Sequence, residues 1–110
     1  MAMQDAQRET WVALLDDFTR QFAGRSARLE VVGQSGKQNV VADNVPFDGI
    51  SADLHDGEDN VSIILLPPGG AALNHVVDNV QRVNVDSLNG QAARVEIQAS
   101  NGTTTVLSLH

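Results

Sequence analysis

The segment GISADLHDGEDNVSIILLPPGGAALNHVVDNVQRVNVD, residues 49–86, sets the architecture of this chain. Apolar residues alternate with polar ones along Ile50-Ser51-Ala52-Asp53-Leu54, the two-residue period of a strand with one buried face. An acidic turn, Asp56-Gly57-Glu58-Asp59-Asn60, separates that strand from the apolar run Val61 to Leu66. Pro67-Pro68-Gly69-Gly70 ends the run, since proline has no N–H for a ladder and glycine admits turn conformations. Two short pieces follow, His75-Val76-Val77 and Val80 to Val85. Short strands at this spacing predict a small antiparallel sheet that curls on itself.

Working back towards the N-terminus, Trp11, Leu14 or Leu15, Phe18 and Phe22 recur at three- and four-residue steps, one apolar stripe of a helix over about 5–23. Arg8, Asp16, Asp17 and Arg20 fall off that stripe and are expected in water. Asp5 or Thr10 would cap its start. Gly24 is placed to end it in the left-handed conformation, with Arg20 and Arg25 near its negative end. Three of the four aromatics lie here, so the helix is expected to close one face of the sheet. Ala27 to Val32 and Gln38 to Ala42 read as strands around a Gly33-Gln34-Ser35-Gly36 turn. Asn44-Val45-Pro46 interrupts the pattern before strands at Gly49 to His55 and Asn60 to Leu66.

Towards the C-terminus, Asn89-Gly90 marks a tight turn. Ala92 to Ser100 then alternates, with Val95, Ile97 and Ala99 on one face and Arg94, Glu96 and Gln98 on the other. Asn101-Gly102 predicts a two-residue type I′ hairpin to the strand Thr103 to Leu109.

At 110 residues the chain reads as a single domain, 1–110, with β-structure over about 27–109. A chain of that size buries roughly 60–70% of its unfolded surface, enough for its own core. There is no cysteine, hence no disulfide, thiolate nucleophile or Cys-type zinc site. No apolar run approaches the ~18 residues of a membrane span and no signal-peptide pattern opens the chain, so a soluble, cytoplasmic protein is expected. Fourteen acidic against seven basic residues leave a net charge of −7, which repels polyanions at long range. Scattered bases and four aromatics without a tyrosine supply neither a phosphate-binding patch nor a base-stacking platform. Nucleic acid and membrane are not expected as partners.

Arg8 and Trp11 in an Arg-x-x-Trp helix, Phe18, Glu30 on a strand, Pro46-Phe47-Asp48-Gly49-Ile50 followed by Asp53, His75-Val76-Val77 and Gly102 at a hairpin turn occur here in order. In that order they resemble an uncharacterised family of short bacterial proteins, known as a domain of unknown function. The likeness spans nearly the whole chain and implies no activity. Gly49, Asp56, Asn60, Ile63 and Leu65 also resemble, as architecture, the Sm-like small barrel, with His75 to Val85 as its two last strands. There the resemblance implies a ring oligomer with a nucleobase pocket at Asp56 and Asn60, completed by a basic residue in the final turn. The corresponding turn here is Val77-Asp78-Asn79-Val80, which is acidic, and Gly49 to Asp56 is one residue longer than the usual spacing.

Asp53, Asp56, Glu58 and Asp59 are the carboxylates from which a hard-cation site would be drawn, but they lack the EF-hand spacing and read as a solvated turn. Gly33 to Lys37 is not a phosphate loop: Val31 stands where glycine is required, Gln38 where Ser or Thr is, and no helix follows. His55, His75 and His110 are far apart in sequence. His75 opens a short strand after a flexible loop and is the best single candidate for a base, with Asp53 or Asp78 as partner. No Gly-x-Ser-x-Gly elbow is present. The sequence therefore predicts an α+β domain, an N-terminal helix packed on a strongly bent antiparallel sheet, closed as an Sm-like or SH3-like barrel and extended by a C-terminal hairpin. The expected role is a non-enzymatic interaction module with a protein partner or a second copy of itself. The alternatives are a ligand- or nucleobase-binding barrel and an enzyme built on His75. Asp53, Asp56, Asn60 and His75 are the ligand-binding candidates, and no catalytic residue, cofactor or metal is assigned.

Overall fold

Gln7 is extended (φ −71°, ψ 142°), and this residue decides where the helix can begin. The computed structural model describes residues 4–55, 58–88 and 92–110. Gln4–Ala6 forms a short strand β1, Arg8–Thr10 a single 3-10 turn, and the helix proper, α1, runs Trp11–Phe22. The expected start near residue 5 is thus too early, because Gln4–Ala6 pairs with another strand instead. Thr10 holds the N-cap position without a side-chain cap, its hydroxyl donating to the Gln7 carbonyl at 2.7 Å. Gly24 ends the helix at φ +92°, as its lack of a Cβ permits, and its N–H donates to the Phe47 carbonyl at 2.7 Å.

The remaining strands are β2 Ser26–Val32, β3 Gln38–Asp53, β4 Asn60–Leu65, β5 Leu73–Val77, β6 Val80–Leu88, β7 Ala92–Ala99 and β8 Thr104–Leu109. All pairings are antiparallel and follow one order, β1-β6-β7-β8-β2-β3-β4-β5. Two stretches read in sequence as separate strands are one. β3 runs unbroken through Asn44-Val45-Pro46, with a register shift against β2 and Asn44 in the left-handed region at φ 58°. What looks like a break is a bend: the first half of β3 pairs with β2 and the second with β4. The β7–β8 turn also differs from expectation. Only Gly102 is left-handed (φ 88°), and the Ala99 N–H donates to the Thr103 carbonyl at 2.9 Å, closing a longer loop with glycine at its left-handed position. Asn89-Gly90 lies outside the described residues.

The sheet does not close, which corrects the barrel expectation. β1 and β5 stand at opposite ends of the strand order. The pieces expected as a final barrel pair, His75 to Val77 and Val80 to Val85, belong to different halves. β6 pairs with β7 along its length and with β1 at Val83 to Val85, and among the described residues no pairing joins it to β5. The two-residue link Asp78-Asn79, with Asn79 at φ 54°, carries the chain between the halves.

The curl encloses one core. Trp11, Leu15, Phe18 and Phe22 of α1 pack among Phe47, Ile50, Ile63 and Leu65 of one half and Leu29, Val95, Ile97 and Leu107 of the other, all essentially buried. Each such side chain contributes about 1.5–3 kcal/mol of transfer free energy, so the helix is held by its stripe. Phe18 sits 4.8 Å from Phe22 and edge-on to Phe47 at 5.9 Å. Thr19 Oγ1 donates to the Ile50 carbonyl and accepts from the Ile50 N–H, each at 2.9 Å, which fixes the helix on the bend of β3.

Candidate functional site

In β5, Leu73, His75 and Val77 stand directly opposite Leu65, Ile63 and Val61 of β4. Residues so paired share a face, so His75 occupies a core-facing position that its neighbours fill with apolar side chains. It is nevertheless only half-buried. At this point β5 diverges from the other half of the sheet and a cleft of about 420 Å³ opens between them. His75 to Asn79 form one wall, and Ser100, Asn101 and Thr103 of the β7–β8 turn form the other. Val31 and Thr105, paired across β2 and β8, and Ala99 complete the lining. Thr105 is only 2% exposed, so a hydroxyl stands where the core would otherwise continue.

The polar groups of the cleft are set by local chemistry. Asn101 Oδ1 accepts from the Thr103 N–H at 3.0 Å and from Thr103 Oγ1 at 2.7 Å, a side-chain turn that stiffens the loop. Asn60, at the start of β4, faces two acceptors, and with its amide assigned so that the nitrogen points to them it donates to Asp78 Oδ1 at 3.1 Å and to the Asp59 carbonyl at 3.3 Å. Burial pushes the His75 imidazole below its ordinary pKa of 6.5, so it is neutral near pH 7. Among the described residues no carboxylate bonds to it.

The other side of Asp78-Asn79 is closed by an ion pair. Asp59 is 9% exposed and takes Arg8 in a two-point contact, Nε to Oδ2 at 2.5 Å and Nη2 to Oδ1 at 2.8 Å. The His55 N–H donates to Asp59 Oδ1 at 3.1 Å, and the Val80 N–H donates to the Asp59 carbonyl at 2.8 Å. The hydrogen bond from Arg8 holds the Asp59 carboxyl below its ordinary pKa of 3.8, against the opposing effect of burial. The Ser100 N–H, donating to the Asn79 carbonyl at 3.0 Å, completes the seam.

The sequence candidates are only partly brought together. His75 and Asp78 line one cleft, and Asn60 bonds to Asp78. Asp53, a possible partner for His75, instead lies 2.9 Å from Nε2 of His55 at the surface. Asp56 lies outside the described residues. Within the acidic run, Asp59 is committed to Arg8 and Asp53 to His55, so neither stands free for a cation. Among the described residues no group of three or more His, Asp or Glu side chains is placed to hold a metal ion. Sequence reasoning missed the Arg8–Asp59 pair and put Arg8 in solvent. The two residues are 51 positions apart, and no local spacing signals their contact. The cleft's hydroxyls at Thr103 and Thr105 were equally hidden, since they read simply as β-branched strand formers.

No helix among the described residues is long and apolar enough to cross a membrane. The fold is similar to that in the crystal structure of the Bacillus subtilis YojF protein, at 16% identity and a TM-score of 0.54. That likeness covers 99% of this chain and 94% of that one, and at this identity it speaks to fold alone. No curated protein matches the chain. A family model, described as a family of unknown function (DUF5335), matches residues 2–110.

Proposed function

We propose that this chain, which belongs to the family of unknown function DUF5335, is a non-enzymatic protein-interaction module of the bacterial cytoplasm whose working surface is the open mouth of its sheet. The observation that carries this reading is the free edge of β5. Leu73–Val77 pairs with β4 on one side and stands last in the strand order, beside the cleft. An edge strand offers unpaired N–H and C=O groups to another chain. Val76, 46% exposed on this strand, adds apolar surface to the same edge. Proton-transfer chemistry has less support, because His75 lacks a bonded carboxylate among the described residues and a general base must be oriented to act. The absence of cysteine suits a reducing compartment.

Photocross-linking tests this reading. A photoreactive residue at position 74, exposed on β5, is expected to give discrete protein adducts, whereas one at position 16, exposed on α1, gives none. Equal labelling from both positions, or no adduct from position 74, rejects it.

A further inference from the structure

Given an interaction module at the mouth of the sheet, the charge and shape of that mouth specify its partner. We propose that the partner is an extended peptide that adds as a strand to the free edge of β5 and places a lysine or arginine side chain in the cleft against Asp78. This rests on the reading above and makes it more specific.

The backbone part follows from topology. A strand laid beside Leu73–Val77 continues the order β3-β4-β5 across the mouth and satisfies edge groups that otherwise face water. Successive side chains of such a strand alternate, so every second one points down towards Val31 and Thr105. A cleft of about 420 Å³ lies near the low end of the ~300–1,000 Å³ span of ligand pockets. That suits one or two side chains.

The charge part follows from the lining. Asp78 is its one charged residue, it contains no lysine or arginine, and the chain as a whole carries −7. The long-range field therefore favours a cation and disfavours a second copy of this acidic chain. Asn60 holds Asp78 Oδ1, which orients the carboxylate and leaves Oδ2 to accept. A neutral His75 adds a ring-nitrogen acceptor, and Thr103, whose hydroxyl donates to Asn101, keeps its lone pairs. The one charged group of the lining is thus an acceptor, and an ammonium or guanidinium group supplies only donors.

Fluorescence anisotropy with the full chain and three labelled nine-residue probes tests the proposal. The first probe alternates Thr and Val around a central Lys, the second carries Glu at the centre, and the third flanks the Lys with prolines. The Lys probe is expected to bind at least about tenfold more tightly than the Glu probe. The proline probe, deprived of two N–H donors, is expected not to bind. Asp78→Asn is expected to erase the Lys-over-Glu preference while leaving the urea unfolding midpoint unchanged. Equal binding of the Lys and Glu probes, or an unchanged preference in Asp78→Asn, overturns the cation. If adducts still form from position 74 in that case, the interaction reading survives and only the partner chemistry falls. A concentration-dependent dimer by light scattering that the Lys probe cannot dissociate makes a second copy the occupant and overturns the peptide. No probe binding together with no adduct overturns both.

Discussion

On one side of the Asp78-Asn79 crossing, Asp59 is tied to three other residues. Asp59 is held by Arg8, the His55 N–H donates to its carboxylate, and its carbonyl takes the Val80 N–H. On the other side, His75 and Asp78 face a cleft whose lining carries no cation. The contrast lies in what each region lacks. β6 is paired with β7 along its length and with β1 at Val83 to Val85, while β5 is paired with β4 alone.

The contrast is broken most severely at a single cross-strand pair, Ile63 opposite His75. Ile63 is fully buried, so Ile63→Ala is expected to cost about 2–5 kcal/mol in urea unfolding. His75→Val, at the mouth, should change stability by less than about 1 kcal/mol. Comparable losses at the two positions would mean that the mouth is core. Next in size is the ion pair. Asp59→Ala leaves Arg8 without its two-point acceptor and is expected to cost about 1–3 kcal/mol, whereas Asp78→Ala should stay within about 0.5 kcal/mol. Arg8→Ala should cost less than Asp59→Ala, since the Arg8 side chain is 48% exposed and water replaces part of its contact. A double-mutant cycle reports the coupling between them.

A smaller effect is expected at the wall of the cleft. Gly102 has φ +88°, and a Cβ there would lie 3.0 Å from Gln34 Cγ. Gly102→Ala should cost about 1 kcal/mol, read as a lowered thermal midpoint. The smallest effects are in pH dependence. The folded-state pKa of His75 is depressed, so the unfolded chain takes up its proton near 6.5 while the folded chain resists. Stability therefore falls as pH drops through 6.5 and levels off below the folded pKa, and His75→Gln should flatten that step. Asp59 behaves likewise at lower pH. Its folded carboxyl stays ionised below 3.8, so stability is present above 3.8 and is lost as pH falls towards the folded value. Asp59→Asn should remove this second decline.

Much of the fold was legible because its signals are local. The stripe Trp11, Leu15, Phe18 and Phe22 is buried as read, and Gly24 ends the helix where its freedom is needed. Alternation through Val95, Ile97 and Ala99 marked the buried face of β7 correctly. The misreadings both concern which strand claims a backbone edge. Gln4–Ala6 is a strand because β6 lies beside it, and Pro46 bends β3 without ending it because each half of that strand finds its own neighbour. β6 is far from Gln4–Ala6 in sequence, whereas β2 and β4 flank β3 directly, and the bend lies where pairing passes from one to the other. At the candidate site, the positions of His75 and Asp78 within one cleft were partly foreseen, but the partner of Asp53 was not.

By itself, then, the sequence determined an α+β domain with one amphipathic helix, a bent antiparallel sheet and an acidic surface, because periodicity, turn residues and charge act over a few positions. Only the tertiary structure decided that the sheet stays open, that Arg8 and Asp59 tie one side and that β5 keeps a free edge. Those outcomes depend on which strand claims each backbone edge. That competition is settled between residues tens of positions apart, where no local pattern records the winner.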